Sequence, residues 1–319
     1  MGESVGLPCG EGIVHGVNGM GPAPPPNEEP AYCWQPSIRL PSHLRPRIVN
    51  TQPLDLAKAF VYFSGLSLLR YIVFVGLSFL ALWWIAKRPG WRTRIQTGVA
   101  AAKQLRRELF LSGTAILIGG AIAPMLMVTG GVSHLMFYKH VGDHGWTYFF
   151  FSIFLMMFVR DTLFYWFHRG MHHRRLFRFA HRSHHLSTNP NPWTSYSVHP
   201  VESIFDTVIT FVVILFFIPK HFVAYAIFLW LDAAVAVMGH IGFEIYPRGF
   251  SRHWLGRWIN TSTAHNSHHA TARHNYGFYF LFWDRLMGTV DPDYDRRFDE
   301  ATGVGMNPAP TGASAQASA

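Results

Sequence analysis

Histidine is concentrated where it can do chemistry. Residues 168–185 read HRGMHHRRLFRFAHRSHH, six histidines in eighteen residues. His168 and His172 are four apart, so a helix places both imidazoles on one face. His181, His184 and His185 repeat that geometry at i, i+3 and i+4, and HNSHH returns it with His265, His268 and His269. His240, in GHIGFE after an apolar run, adds a further imidazole. Together these motifs can aim about eight imidazoles at one point. A tetrahedral zinc takes about four ligands, so the number suits two adjacent metals. Imidazole suits iron as well as zinc. One HxxHH on a helix is often only a solvated face. Two copies of it and an HxxxH beside apolar segments, in a chain with two cysteines, point instead to a metal site.

The motifs also carry a likeness. HRGMH, HRSHH, HPVE, HNSHHATARHNYG and WDRLMGT resemble, in order, spacing and flanking residues, the fatty acid hydroxylase and sterol desaturase superfamily of membrane di-iron oxygenases. The resemblance covers residues 146–291 and implies nine ligands: His168, His172, His181, His184, His185, His240, His265, His268 and His269. It further implies two iron ions that use O2 and two electrons to hydroxylate or desaturate a lipid C–H bond. The INTSTAHNSHH, NYG and WDRLMGT segments are most similar to sterol C-5 desaturase-like members, whereas GHIGFE departs from their usual form. Sterol, sphingoid, fatty acyl and carotenoid substrates all stay open. An ether-lipid or aldehyde-cleaving oxygenase would share the same metal site. A histidine-rich metal transporter would instead need ionisable residues repeated through several spans.

Other residues are assigned around the ligands. Asp161 lies two helical turns before His168 and faces the same way; it either orients a ligating imidazole or pairs with Arg160. Glu244 follows His240 by four residues, as an acceptor or a carboxylate ligand. Asn275 of the NYG motif is expected beside a metal-bound water, and Asp284 ties the end of the chain to the site. His199 and Glu202 of HPVE are structural or support a ligand. His173 points away, and His274 is a neighbour of a ligand or a surface imidazole. His15, His43, His134, His140, His144, His221 and His253 have no partner spacing.

Elements that position these residues must lie in a membrane. The chain of 319 residues is 49% hydrophobic and 14% charged, against about a quarter charged in soluble domains. The fold class is all-α: a multi-span helical bundle with a cytosolic histidine-rich cap. Residues 1–56 read as a Pro/Gly-rich leader without a cleaved signal, holding both Cys9 and Cys33. Residues 57–145 hold the first membrane segments and a basic loop, 146–292 the catalytic domain, and 293–319 a disordered tail. Apolar segments run over 59–86 (interrupted by Arg70), 109–129, 146–167, 204–218 and 222–238. If each spans once, the count is odd and the N-terminus lies outside.

The net charge of +9 is explained by topology rather than nucleic acid. Both Lys87–Arg107 and the first histidine block are rich in Lys or Arg without acids, so both face the cytosol. The location is the endoplasmic reticulum in a eukaryote or the inner membrane in a bacterium. No haem-binding, flavin or Rossmann motif is visible, so electrons come from a separate protein such as cytochrome b5 or a ferredoxin. Arg169, Arg174, Arg175, Arg178 and Arg182 offer it a basic surface, although topology alone suffices to explain them.

Overall fold

A computed structural model describes residues 52–86, 95 and 100–303. Residues 1–51 of the expected leader, most of the basic segment after residue 86, and residues 304–319 lie outside the described residues, and residues 53–56 belong to the first helix instead of the leader. Helix α1, Pro53–Ala86, is unbroken through Arg70, whose guanidinium donates to Ser67 Oγ one turn back at 3.0 Å. Helix α2, Ala102–Gly120, hands over to α3, Ile122–Val128, at Ala121. Pro124 explains the break: it has no N–H for the carbonyl four residues back, and its ring crowds that carbonyl. At the same junction Gly120 lets α1 approach, because a Cβ there would sit 1.9 Å from Ser64 Oγ.

A two-residue strand β1, Phe137–Tyr138, precedes α4, Gly145–Met171. The 27 residues of α4 rise about 40 Å, more than the roughly 30 Å of a hydrocarbon core, so its last turn, with His168, can extend beyond that core. Helix α5, Arg174–Leu176, a π-helical turn over Phe177–His181 and α6, Arg182–His185, follow. Then come α7, Pro200–Asp206, a second π-helical turn over Thr207–Val212, α8, Val213–Phe217, and β2, Lys220–His221, parallel to β1. Helix α9, Phe222–His240, returns to the site; α10, Ser262–Thr271, α11, Phe282–Leu286, and α12, Tyr294–Ala301, form the cap.

Four helical segments among the described residues are long and apolar enough to cross a membrane: Pro53–Leu82, Ala102–Val128, Gly145–Met171 and Phe222–His240. The fifth expected span, 204–218, is not among them. It leaves the site at His199 and reaches Leu215, whose carbonyl accepts the Met136 N–H near β1. Its helix is cut by the second π turn, and Glu202 and Asp206 face partners in the protein rather than lipid. Phe149, Met156, Ile214 and Phe228 pack α4, α8 and α9 together, while Tyr71, Ile116 and Val237 join α1, α2 and α9. Residues Tyr294–Ala301 of the expected tail form a helix instead. Helix α12 buries Tyr294 and Phe298 against Ala264 and Leu281, apolar surface that the polar composition around it concealed.

Candidate metal centre

The histidines reach one end of the bundle on five helical elements. The last turn of α4 carries His168, and its C-cap is His172. His181 closes the first π turn, and α6 supplies His184 and His185. His240 ends α9, and α10 carries His265, His268 and His269. Thr261 starts α10 by accepting the Ala264 N–H at 3.2 Å, a cap that satisfies one of the free donors of the first turn.

The nine imidazoles form two groups rather than one. His168, His172, His181, His185 and His268 make the first; His184, His240, His265 and His269 make the second. Within each group the candidate ligand atoms lie within 4.8 Å of one another. In the first group His181 Nε2 is 3.0 Å from His168 Nε2 and 3.1 Å from His185 Nε2, which is 3.1 Å from His268 Nε2. In the second, His240 Nε2 is 2.9 Å from His265 Nε2 and 3.3 Å from His269 Nε2. The groups abut, with the rings of His185 and His269 5.1 Å apart. Adjacent helical residues point about 100° apart, so each HxxHH straddles both groups. His181 and His185 go to one group and His184 to the other; His265 and His269 go to the second and His268 to the first.

The second nitrogen of several rings shows what the first must be. His168 Nδ1 donates to the Tyr276 carbonyl at 2.9 Å, and His268 Nδ1 to the His274 carbonyl at 2.7 Å. His184 Nδ1 donates to the Ser197 carbonyl at 3.0 Å, and His240 Nδ1 to that of Ala236 at 2.7 Å. A carbonyl only accepts, so these four rings carry their proton on Nδ1 and present a bare Nε2 lone pair, two to each group. Burial holds the rings neutral as well. It pushes His172 down to about 4 and His185 to about 2, and drives His181, His265, His268 and His269 well below the usual histidine range, with neighbouring imidazoles adding to the effect in the last four. Neutral, pre-oriented imidazoles converging on two points are a donor set that fits two transition-metal ions.

The fatty acid hydroxylase family model matches residues 153–289. Rat (Rattus norvegicus) lathosterol oxidase is 33% identical over 53% of this chain and 54% of its own length. A Delta(7)-sterol 5(6)-desaturase of Gibberella zeae is 29% identical over 58% of this chain and 56% of its own. Another, from Aspergillus fumigatus, is 30% identical over 60% of this chain and 67% of its own. The chain belongs to the fatty acid hydroxylase family. It spans little more than half the length of the rat and Gibberella relatives. No solved structure matches it.

In this family member the carboxylates do different work from that read in the sequence. Asp161 does not touch His168. Its Oδ1 accepts the N–H groups of Phe278, Tyr279 and Phe280 at 2.9, 2.6 and 3.2 Å, pinning the loop whose Tyr276 carbonyl holds His168. Nor is Arg160 its partner: that guanidinium bonds Asp206 at 2.8 Å and Asp232 at 3.0 Å. Glu244 joins neither histidine group. It accepts the N–H and hydroxyl of Thr263 at 3.0 and 2.7 Å, fastening the start of α10. Asn275 sits at φ 57° and ties Ala264 to Asp291 through its amide, so it braces the cap. Asp284 accepts the N–H groups of Tyr276 and Gly277, both at 2.8 Å, on the far side of the same loop.

The carboxylate behind a ligand candidate is Glu202, whose Oε1 meets His181 Nδ1 at 2.9 Å. Burial, then the charge of Asp206, pushes this carboxyl upward. The other half of HPVE, His199, caps α7 by accepting the Val201 N–H at 3.3 Å. His173 is exposed, and His274 serves through its carbonyl. Glu108 of α2 had no sequence signal beyond an acid near an apolar run. It is fully buried and accepts from Gln104, Asn191 and Thr194, fixing the chain that follows His185.

Next to the second group lies a cavity of about 210 Å3. Its wall is mainly apolar, with Met157, Val235 and Phe280 on it, and His240 and His265 line it as well.

Proposed function

We propose that this chain is an integral-membrane di-iron oxygenase that uses O2 and two electrons to hydroxylate or desaturate a C–H bond of a membrane lipid. The observation that carries the reading is the pair of abutting histidine groups, one of which lines an apolar cavity. His168, His172, His181, His185 and His268 would hold one iron, and His184, His240, His265 and His269 the other. Bound iron would supply the power to activate O2 and oxidise an unactivated C–H bond. The protein's part is positioning. Backbone carbonyls fix four imidazoles, Glu202 fixes a fifth, and Asp161 and Asp284 hold the loop behind His168.

A cavity of about 210 Å3 is smaller than the roughly 300–1,000 Å3 of pockets that enclose a whole ligand, so only the reacting part of the lipid enters. Asn260, on its wall, keeps a buried side-chain oxygen without a partner among the described residues, an acceptor for a substrate hydroxyl. We place the catalytic domain at residues 146–292, with a sterol as the first substrate class to test, given the sterol-oxidising relatives. Electrons would come from a separate carrier such as cytochrome b5 or a ferredoxin. A metal transporter is disfavoured by the charges at membrane depth. Arg160, Asp206 and Asp232 bond to one another instead of lining a path.

Protein purified without oxygen should carry two irons per chain, and His268→Ala and His184→Ala, one from each group, should each lower that content and abolish turnover. Lipid extracts of a deletion strain should lack one hydroxyl or double bond. Full lipid turnover by protein without metal would overturn the reading.

A further inference from the structure

The cap carries a bare apolar patch that lies outside every expected span in the sequence. Trp254, Leu255 and Leu286 are 70%, 54% and 64% exposed, as much as Phe150 and Phe154 at 63% and 54% on the outer face of α4. Arg285 Nε donates to the Arg257 carbonyl at 2.6 Å, which brings the two segments side by side, and large apolar side chains so exposed on one surface mark a contact. The surrounding charge is basic. The guanidinium of Arg257 lies 5.2 Å and that of Arg285 5.9 Å from the Trp258 ring centre. Neither forms an ion pair among the described residues, whereas Arg252 nearby is matched by Asp299.

The patch is continuous with the membrane face. Phe154 and Phe158 of α4 stack at 6.3 Å, Phe158 meets Phe282 at 5.8 Å, and Phe282 meets Trp258 at 6.2 Å. At the other end of α4 lies exposed Trp146. Its twelve-residue rise to Phe158 is about 18 Å, and two further ring contacts place Trp258 no more than about 30 Å from Trp146 along the helix axis. About 30 Å is the thickness of a hydrocarbon core, whose two borders are where tryptophan and arginine collect.

We infer that the Trp254–Trp258 turn and the end of α11 form a monotopic anchor, seated among the anionic phospholipid headgroups of the same bilayer that α4 crosses. Tryptophan supplies a ring that is apolar in body and polar at one edge, and Arg257 and Arg285 meet the phosphates. The anchor also fixes the cavity rim. Asn260 N–H donates to the Tyr279 carbonyl and Leu281 N–H to that of Trp258, so Ile259 and Phe280, both on the cavity wall, are held against the membrane. Lateral entry of lipid at this rim rests on the oxygenase reading; the anchoring does not.

The test uses the full chain with Cys9 and Cys33 changed to serine, in nanodiscs of phosphatidylcholine and phosphatidylglycerol. Nitroxides placed by Trp254→Cys and Leu286→Cys are compared with Phe154→Cys as the hydrocarbon reference and Arg296→Cys as the aqueous one. At positions 254 and 286 collisions with O2 should exceed those with a water-soluble nickel chelate, giving a depth between the two references. Arg257→Gln with Arg285→Gln, or discs of phosphatidylcholine alone, should shift the label at 254 several-fold toward the aqueous ratio. Nickel access equal to that at Arg296 overturns the anchor, and so does exclusion of both probes, which means a protein covers the patch. No response to the arginine changes or to lipid charge overturns the headgroup contact. Since neither metal nor turnover is read, loss of the oxygenase reading would leave this result unaltered.

Discussion

Glu202 Oε1 lies 2.9 Å from His181 Nδ1, across twenty-one residues of sequence and with both side chains buried. His181 in turn sits between His168 and His185, so the carboxylate acts on the middle ring of the first group. Glu202→Gln keeps the shape and one acceptor but loses the charge that a bound cation would draw out. Removal of such an outer partner typically costs about 10–100-fold in metal affinity or activity. Competition with a chelator should therefore show weaker iron retention of that order in Glu202→Gln, with unchanged expression. Equal retention would make Glu202 a packing residue only.

Asp161 should behave in the opposite way. One of its oxygens holds three backbone N–H groups, and an amide oxygen in its place accepts them without the charge that strengthens such bonds, leaving the donors less well satisfied. Poorly satisfied buried donors cost about 1–3 kcal/mol, so Asp161→Asn should lower the unfolding temperature and the yield together with turnover. Arg160→Gln strands Asp206 and Asp232 and should cost more, about 3–5 kcal/mol for a broken buried ion pair. Thermal melts of both variants in detergent give the order. Normal stability of Asp161→Asn with lost iron would return this residue to the ligand-orienting role.

Acid should destabilise the metal-free protein over a defined window. His172 is held at about 4 and His185 at about 2 by burial, below the roughly 6.5 of an unfolded histidine. Between those limits the unfolded chain binds protons that the folded chain refuses, so stability falls as pH falls. The contribution is complete above about pH 6.5 and for His172 is spent by about pH 4. Melting temperature of metal-free protein should be flat above neutrality and drop steadily from pH 6.5 to 4. His172→Gln should flatten part of that slope.

Orientation is testable at exposed positions. Arg175 and Arg296 lie at the histidine end and His140 beside β1 at the opposite end of α4. After Cys9 and Cys33 are replaced, single cysteines at 175 and 296 should react only from the cytosol and one at 140 only from outside. Labelling of 175 and 140 from the same side would contradict the bundle itself.

The sharing of helix faces by the histidines was legible because helical spacing is local. Two imidazoles four residues apart share a face whatever else the chain does, and α4 and α9 are readable as long apolar runs. Four of the five expected spans and the nine grouped histidines follow from such short-range order. What the sequence left open was everything set by distant contacts. The division into five and four imidazoles depends on where each helix end points, and the π turn before His181 is not a regular period. Asp161, two turns from His168 on one helix, looked like its partner. Its real partners are 117 to 119 residues away, because a buried carboxylate goes to whichever unsatisfied N–H groups the fold brings near.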